Sequence, residues 1–155
     1  MFRSLRDLFD SLAAPSPDAD PQAADRALQL AAAVMLVEVM RADASFHPAE
    51  RQAVRDALRQ QFSLSADEAD RLAELADTTA AHATDLLPFT SRIDERFDMA
   101  QKVRMVEQMW RVAYADGQLS ADERHVLWRV ADLLHVPQGA YVNARMRAKQ
   151  QAGLD

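Results

Sequence analysis

The chain has 155 residues, no cysteine, and a formal net charge of −6 from 18 Lys+Arg against 24 Asp+Glu. That length suits one domain, and the missing thiols exclude disulfides, thiolate metal sites and cysteine nucleophiles. A phosphate-backbone binder needs a basic stripe, so the acidic balance argues against a nucleic-acid partner.

Glycine is scarce, at 3 residues, and alanine and other helix formers dominate nearly every segment, which lowers the prior for strands. At the N-terminus Phe2, Leu5, Leu8, Phe9 and Leu12 recur at helical spacing, with Arg3, Arg6, Asp7 and Asp10 on much of the other face. This reads as a short amphipathic helix. It has three homes open to it: its own domain, a partner, or a membrane surface as a peripheral anchor. Pro15, Pro17 and Pro21 follow, with Ser16, Asp18 and Asp20, and make a linker. Residues 1–21 therefore form one unit, 22–149 the helical domain, and 150–155 a tail expected to fray. No apolar run resembles a signal peptide. The most apolar stretch, residues 28–40, is interrupted by Glu38 and falls short of the roughly 20 residues a transmembrane helix needs. A soluble, cytoplasmic chain is expected.

The first long helix is predicted over residues 22–42, with Leu28, Ala31, Met35, Val39 and Ala42 on one face and Leu36 and Met40 widening it. A turn over residues 43–47 leads to Pro48, which suits the first position of the next helix, running to about Gln60 with Val54, Leu58 and Phe62 inward. Ser65-Ala-Asp-Glu68 is a capping box for a helix ending near His82. Pro88 breaks the chain, with Leu86, Leu87 and Phe89 plugging the core around a short turn. A long helix is predicted to begin near residues 93–97, with Met99, Val103, Val106, Met109, Trp110 and Ala113 on its core side and Gly117 past its end. Ser120-Ala-Asp-Glu123 is a second capping box, opening a helix that buries Val126, Leu127, Val130 and Leu134. Pro137 starts the last helix, carrying Tyr141, Val142 and Met146. Loops are short, so neighbouring helices are expected to run antiparallel.

Residues 39–51 and 112–124 align without a gap at an offset of 73. Ala42-Asp43 matches Ala115-Asp116, Phe46 matches Leu119, and Glu50-Arg51 matches Glu123-Arg124. Each copy reads as a helix end, a tight turn, an apolar plug and a new helix start. A structural account suffices for much of this: Glu50 and Glu123 sit at the third helical position, where a carboxylate caps free N–H groups, and Asp43 and Asp116 can accept turn N–H bonds. The functional reading brings Asp43, Glu50, Asp116, Glu123 and Asp122 to one acidic face for a protein partner. The same residues leave open a divalent-cation site through Asp43, Glu50, Asp116 and Glu123. Neither turn is an EF-hand loop, since the twelfth position counted from Asp116 is Leu127 rather than Glu. Glu38 and Arg111 also match across the repeat, and two charges within apolar helices suggest an ion pair across the core.

The repeated Ala-Asp-x-x-x-x-x-x-Glu pattern, Ala42-Asp43 to Glu50 and Ala115-Asp116-Gly117 to Glu123, resembles the tellurite resistance protein TerB family. The second copy is the closer match, because Ala44 stands where the pattern has glycine. The helical domain of membrane-linked DnaJ-type co-chaperones is similar too. The resemblance covers roughly residues 23–146. It implies an all-α fold of seven or so helices in a compact orthogonal or antiparallel bundle with internal pseudo-two-fold duplication, an acidic surface, and a scaffold or metal-responsive role in tellurite or stress response.

No enzyme is expected. The histidines His47, His82, His125 and His135 form no HExxH pair, and no Walker A loop, GxGxxG turn or nucleophile elbow is present; a small hydrolase is a distant third reading. No cofactor is implied beyond the divalent cation, and the sequence leaves the oligomeric state open. Trp110 is expected in the core, while Trp128 lies just off its helix's apolar face. Far-UV circular dichroism should show an almost wholly helical chain; a substantial strand signal would overturn the fold class.

Overall fold

The computed structural model describes residues 21–42 and 47–154. The predicted N-terminal helix and most of the linker, along with Asp43 and Phe46, lie outside the described residues. Seven helices follow one another: α1 Pro21–Ala42, α2 Pro48–Phe62, α3 Ala66–His82, α4 Leu87–Arg96, α5 Met99–Tyr114, α6 Ala121–Leu133 and α7 Gln138–Gln151. Among the described residues no segment is a strand.

Helix α1 is the axle of the bundle. From Leu30 to Val37 every residue is buried, so this stretch has no solvent face, as expected of a helix that is apolar all round. It packs against α2, α3, α4, α5 and α6. Much of its surface is alanine (Ala24, Ala27, Ala31, Ala32 and Ala33), and small side chains let five neighbours approach closely. The residual slots take Leu30, Met35 and Val39, all fully enclosed.

The helix contacts fall into matching sets. α1 packs on α3 as α5 packs on α7; α1 packs on α6 as α5 packs on α2. Helices α1–α2–α3 and α5–α6–α7 thus share these partnerships, with α4 inserted between them, and differ in one: α2 packs on α3, whereas α6 and α7 make no comparable contact. A duplicated unit with approximate two-fold symmetry would produce this reciprocity.

Two boundaries differ from expectation. Residues 93–97 end a helix rather than begin one. The chain around Pro88 is not a short turn but ten helical residues, with Phe89 and Ile93 buried and Leu87 left 52% exposed. Proline is tolerated there because it occupies the first turn. Phe97 then breaks into extended backbone, and Asp98 opens α5 with a third capping box: its carboxylate accepts from the Gln101 N–H at 2.8 Å, and the Gln101 side chain accepts from the Asp98 N–H at 2.8 Å. Met99, expected on the core side, is 43% exposed at this helix start.

Local chemistry fixes the remaining ends. The boxes at Ser65/Glu68 and Ser120/Glu123 both form. Helix α6 closes with His135 in the left-handed region (φ 63°), the Val136 N–H bonding the Ala131 carbonyl at 3.0 Å and the His135 N–H bonding Asp132 at 3.1 Å. This is a Schellman closure with histidine in the position glycine usually takes. The His135 ring lies 3.2 Å from Asp94, which also pairs with Lys102 and so ties α4 to α5. Hydrogen bonds from Lys102 and then His135 hold the Asp94 carboxyl below its ordinary value.

Helix α7 does not use the residues its sequence advertised. Val142 and Met146 are 44% and 55% exposed, while Ala144 and Ala148 are wholly buried. These alanines seat α7 on α5, where Arg145 donates to the Tyr114 hydroxyl at 2.8 Å and Arg147 pairs with Glu107. Residues 150–154, expected as a frayed tail, continue α7 to Gln151 and close it with a second Schellman turn: Gly153 has φ +73°, and the Leu154 N–H bonds the Lys149 carbonyl at 3.1 Å. The close approach of α5 and α7 gives a direct test. Ala148→Leu should overpack it and cost about 1–3 kcal/mol, read as a lowered urea midpoint with an unchanged m-value.

Candidate functional site

The second repeat turn is built from three local devices. Helix α5 ends at Tyr114, and the Gly117 N–H bonds the Tyr114 carbonyl at 2.9 Å. Gly117 has φ +82°, a conformation that disfavours any residue with a Cβ. Asp116 closes the turn, its Oδ1 accepting from the Gln118 N–H at 3.0 Å. Ser120 then caps α6: its hydroxyl accepts from the Glu123 N–H at 3.0 Å, and Glu123 Oε1 accepts from the Ser120 N–H at 2.9 Å. Leu119 is the plug, partly buried against the core.

The first turn is described only from His47 onward. His47 caps α2 through its ring, Nδ1 accepting from the Ala49 N–H at 3.0 Å, and Pro48 occupies the first turn. Asp43 lies outside the described residues.

Glu50 and Glu123, which match in the repeat, match in burial: both are 0% exposed, and neither lacks a partner. They therefore belong to the interior of the turns and do not present a carboxylate to a macromolecule. What the second turn offers to solvent is Asp116, half-buried, and Asp122, exposed in the first turn of α6. Among the described residues, no group of three or more His, Cys, Asp or Glu could hold a metal ion; the expected four-carboxylate set includes Asp43 and so extends beyond them.

The expected Glu38–Arg111 pair is not what forms. Glu38 faces Arg41 on its own helix at 3.9 Å, whereas Arg111 donates to Gln60 on α2 at 3.3 Å. The repeat places the two charges in equivalent positions, but Gln60 intercepts one and the next turn of α1 supplies the partner of the other. Glu38 is mostly buried, its side chain 23% exposed. Burial pushes its carboxyl above the ordinary value, against the pull of Arg41 and then Arg129.

Three histidines make contacts, two of them local. His82 bonds the Thr78 carbonyl at 2.8 Å, His47 caps α2, and His135 joins Asp94. Trp110 is a core residue at 1% exposure, stacked on Tyr114 at 5.9 Å, with the Arg145 guanidinium 5.1 Å from its ring centre. Trp128 is the opposite: 58% exposed, at the mouth of a groove of about 270 Å³ lined by Ala131, Asp132, Val136, Gln138, Tyr141 and Val142. The sequence signal for that groove was the displacement of Trp128 from the Leu127–Val130 face.

Compared with known families, residues 29–146 match the model for tellurite resistance protein TerB. No curated protein and no solved structure matches the chain. No described helix is long and apolar enough to cross a membrane.

The Glu38 environment has a pH consequence. A carboxyl whose folded value is raised is disfavoured when ionised, so stability rises as pH falls through that value and the penalty is full above it. Glu38→Gln should raise the melting temperature at pH 7.5, and its advantage over the wild type should shrink toward pH 4. An unchanged or lowered melting temperature at pH 7.5 would show that Arg41 and Arg129 outweigh burial.

Proposed function

The chain belongs to the tellurite resistance protein TerB family, and from that premise we propose that it is a non-enzymatic, cytoplasmic protein-interaction or scaffold module that engages a basic partner through its acidic repeat turns. The observation that carries this reading is the construction of the second turn. Asp116 is held by its bond to the Gln118 N–H, the backbone reverses at Gly117, and Asp122 stands exposed on the first turn of a helix fixed by the Ser120/Glu123 box. A carboxylate held as that of Asp116 is loses little side-chain freedom on binding, which is where pre-organised surfaces gain affinity. A surface of this sign steers a basic partner and makes the association salt-sensitive. In the sequence alignment of the repeat, Asp43 matches Asp116.

The second reading, a module that senses divalent cations through Asp43, Glu50, Asp116 and Glu123, draws on the matched burial of Glu50 and Glu123. Hard cations prefer several carboxylate oxygens in one cage. The readings part on what the turn aspartates do. Under the scaffold reading, Asp43→Asn/Asp116→Asn/Asp122→Asn should abolish salt-sensitive capture of partners in a pull-down, with the melting temperature held near that of the wild type. Retention of every partner by the folded triple variant would refute it. Under the cation reading, millimolar Ca²⁺, Mg²⁺ or Zn²⁺ should raise the melting temperature of the wild type, since a ligand that binds only the folded state stabilises it, and that rise should vanish in Asp43→Asn/Asp116→Asn.

A further inference from the structure

A helix face left apolar in a folded chain needs an occupant or a reason. Trp128 on α6 and Val142 and Met146 on α7 are 58%, 44% and 55% exposed. Trp128 and Val142 border the same groove, and Met146 follows Val142 by one helical turn. Half-buried Tyr141 and buried Val136 form the floor. The packing of α7 through Ala144 and Ala148 is what turns the larger side chains outward.

The size of the patch limits what fits it. Three half-exposed side chains present a few hundred Å², the scale of the largest apolar patch on an ordinary monomer, about 300–600 Å². A stable interface between two copies takes about 800 Å² from each. The patch suits a short amphipathic helix, which anchors by residues three and four apart in a groove.

The chain carries such a segment. Phe2, Leu5, Leu8, Phe9 and Leu12 make an apolar stripe by sequence, and Arg3 and Arg6 share much of the other face with Asp7 and Asp10, Arg6 next to the stripe. Asp132 is the charged side chain lining the groove, of opposite sign to those arginines. Reach permits the contact. The segment is joined to α1, whose first turns meet the end of α4 through the Asp25–Arg96 pair at 3.4 Å, and α4 meets the C-terminal end of α6 through Asp94 and His135 at 3.2 Å. Residues 13–20, extended, span at most roughly 27 Å, more than two helix diameters of about 10–12 Å.

We propose that residues 2–12 dock in cis on the α6–α7 groove, setting their apolar stripe on Trp128, Tyr141 and Val142 with Arg3 or Arg6 toward Asp132. The groove is then a switchable surface: a partner or lipid that takes the stripe uncovers Trp128. This reading is independent of the second acidic turn, which lies at the other end of α6 from Asp132.

The test uses the full chain. Its two tryptophans separate cleanly, since Trp110 is buried and Trp128 is not, so acrylamide quenching reports on Trp128. Leu5→Asp/Leu8→Asp should red-shift the emission and increase quenching, while Asp67→Asn, an exposed control on α3, should change neither. The absence of cysteine allows a second measurement. Leu8→Cys/Val142→Cys, treated with a flexible thiol cross-linker, should give a concentration-independent intramolecular product, and Leu8→Cys/Asp67→Cys should not. Quenching unchanged by the stripe substitutions would overturn the proposal. So would cross-linking chiefly between molecules, which would assign the groove to a second copy. A stripe needed only for co-sedimentation with anionic phospholipid vesicles, with Trp128 unaffected, would assign it to lipid and overturn the proposal equally.

Discussion

A helix with no solvent face has to be enclosed on all sides, and the architecture follows from how α1 meets that demand. From Leu30 to Val37 it offers nothing that water can solvate except backbone already bonded within the helix. Each buried apolar side chain contributes about 1.5–3 kcal/mol when removed from water, so leaving any flank of this stretch open would be costly. Five helices close around it. The alanines decide the geometry, because they let those five approach without the steric cost of larger side chains. Glu38 is the exception on this helix, and it sits where Arg41 and Arg129 can offset part of its desolvation.

The enclosure also sets which parts of the chain are available for function. Helices that contact α1 spend most of their apolar side chains on the core, leaving Leu87, Met99 and Trp128 as single exposed exceptions on α4, α5 and α6. Helix α7 is attached instead to α5, through two alanines and flanking arginine contacts. It therefore keeps large apolar side chains on its outer side. The duplicated arrangement has a matching asymmetry: α3, its counterpart, buries Ala69, Leu72, Ala73 and Ala76 against the bundle and leaves charged residues outside. The surface most suited to an exchangeable contact thus arises where the second half of the repeat departs from the first.

Much of this was legible in the sequence, for a physical reason. Capping boxes at Ser65/Glu68 and Ser120/Glu123 are closed by bonds three residues apart, so four letters specify them. Val106, Met109, Trp110 and Ala113 of α5 and Leu127 and Val130 of α6 repeat at helical spacing and are buried, with Val103 and Val126 partly so. The Asp98/Gln101 box carried the same kind of signal, and reading it would have placed the break between α4 and α5 at Phe97. What could not be read locally was tertiary choice. Nothing in the order Tyr141-Val142-Asn143-Ala144 says that the alanine, not the valine, turns inward; the close approach of α5 decides it. Likewise the repeat offset pairs Glu38 with Arg111, but the partner each finds depends on Gln60, outside the aligned segments, and on Arg41, whose aligned counterpart is Tyr114. The burial of Glu50 and Glu123 belongs to this class too, because a carboxylate at the third helical position is ordinarily solvated.

The two turns share a plan but differ in chemistry. Helix α6 starts on a serine hydroxyl, which donates and accepts in any ordinary aqueous condition, and its glutamate returns the bond to the cap N–H. Helix α2 starts on an imidazole nitrogen that accepts from the Ala49 N–H. That nitrogen accepts only when it carries no proton, since both ring nitrogens are donors in the charged form. Loss of an N-cap acceptor costs about 0.5–2 kcal/mol, and Pro48 behind it offsets part of that by pre-setting the first helical φ. The second copy also has Gly117 at its positive-φ position, where the first has Ala44 in the aligned place. The second copy is therefore capped through backbone and hydroxyl chemistry, and the helix of the first through an imidazole nitrogen. The two copies thus keep Glu50 and Glu123 equally buried while the caps around them differ: the interior of the turn is alike in both, and the rim, at Asp116 and Asp122 in the second, is the part open to solvent.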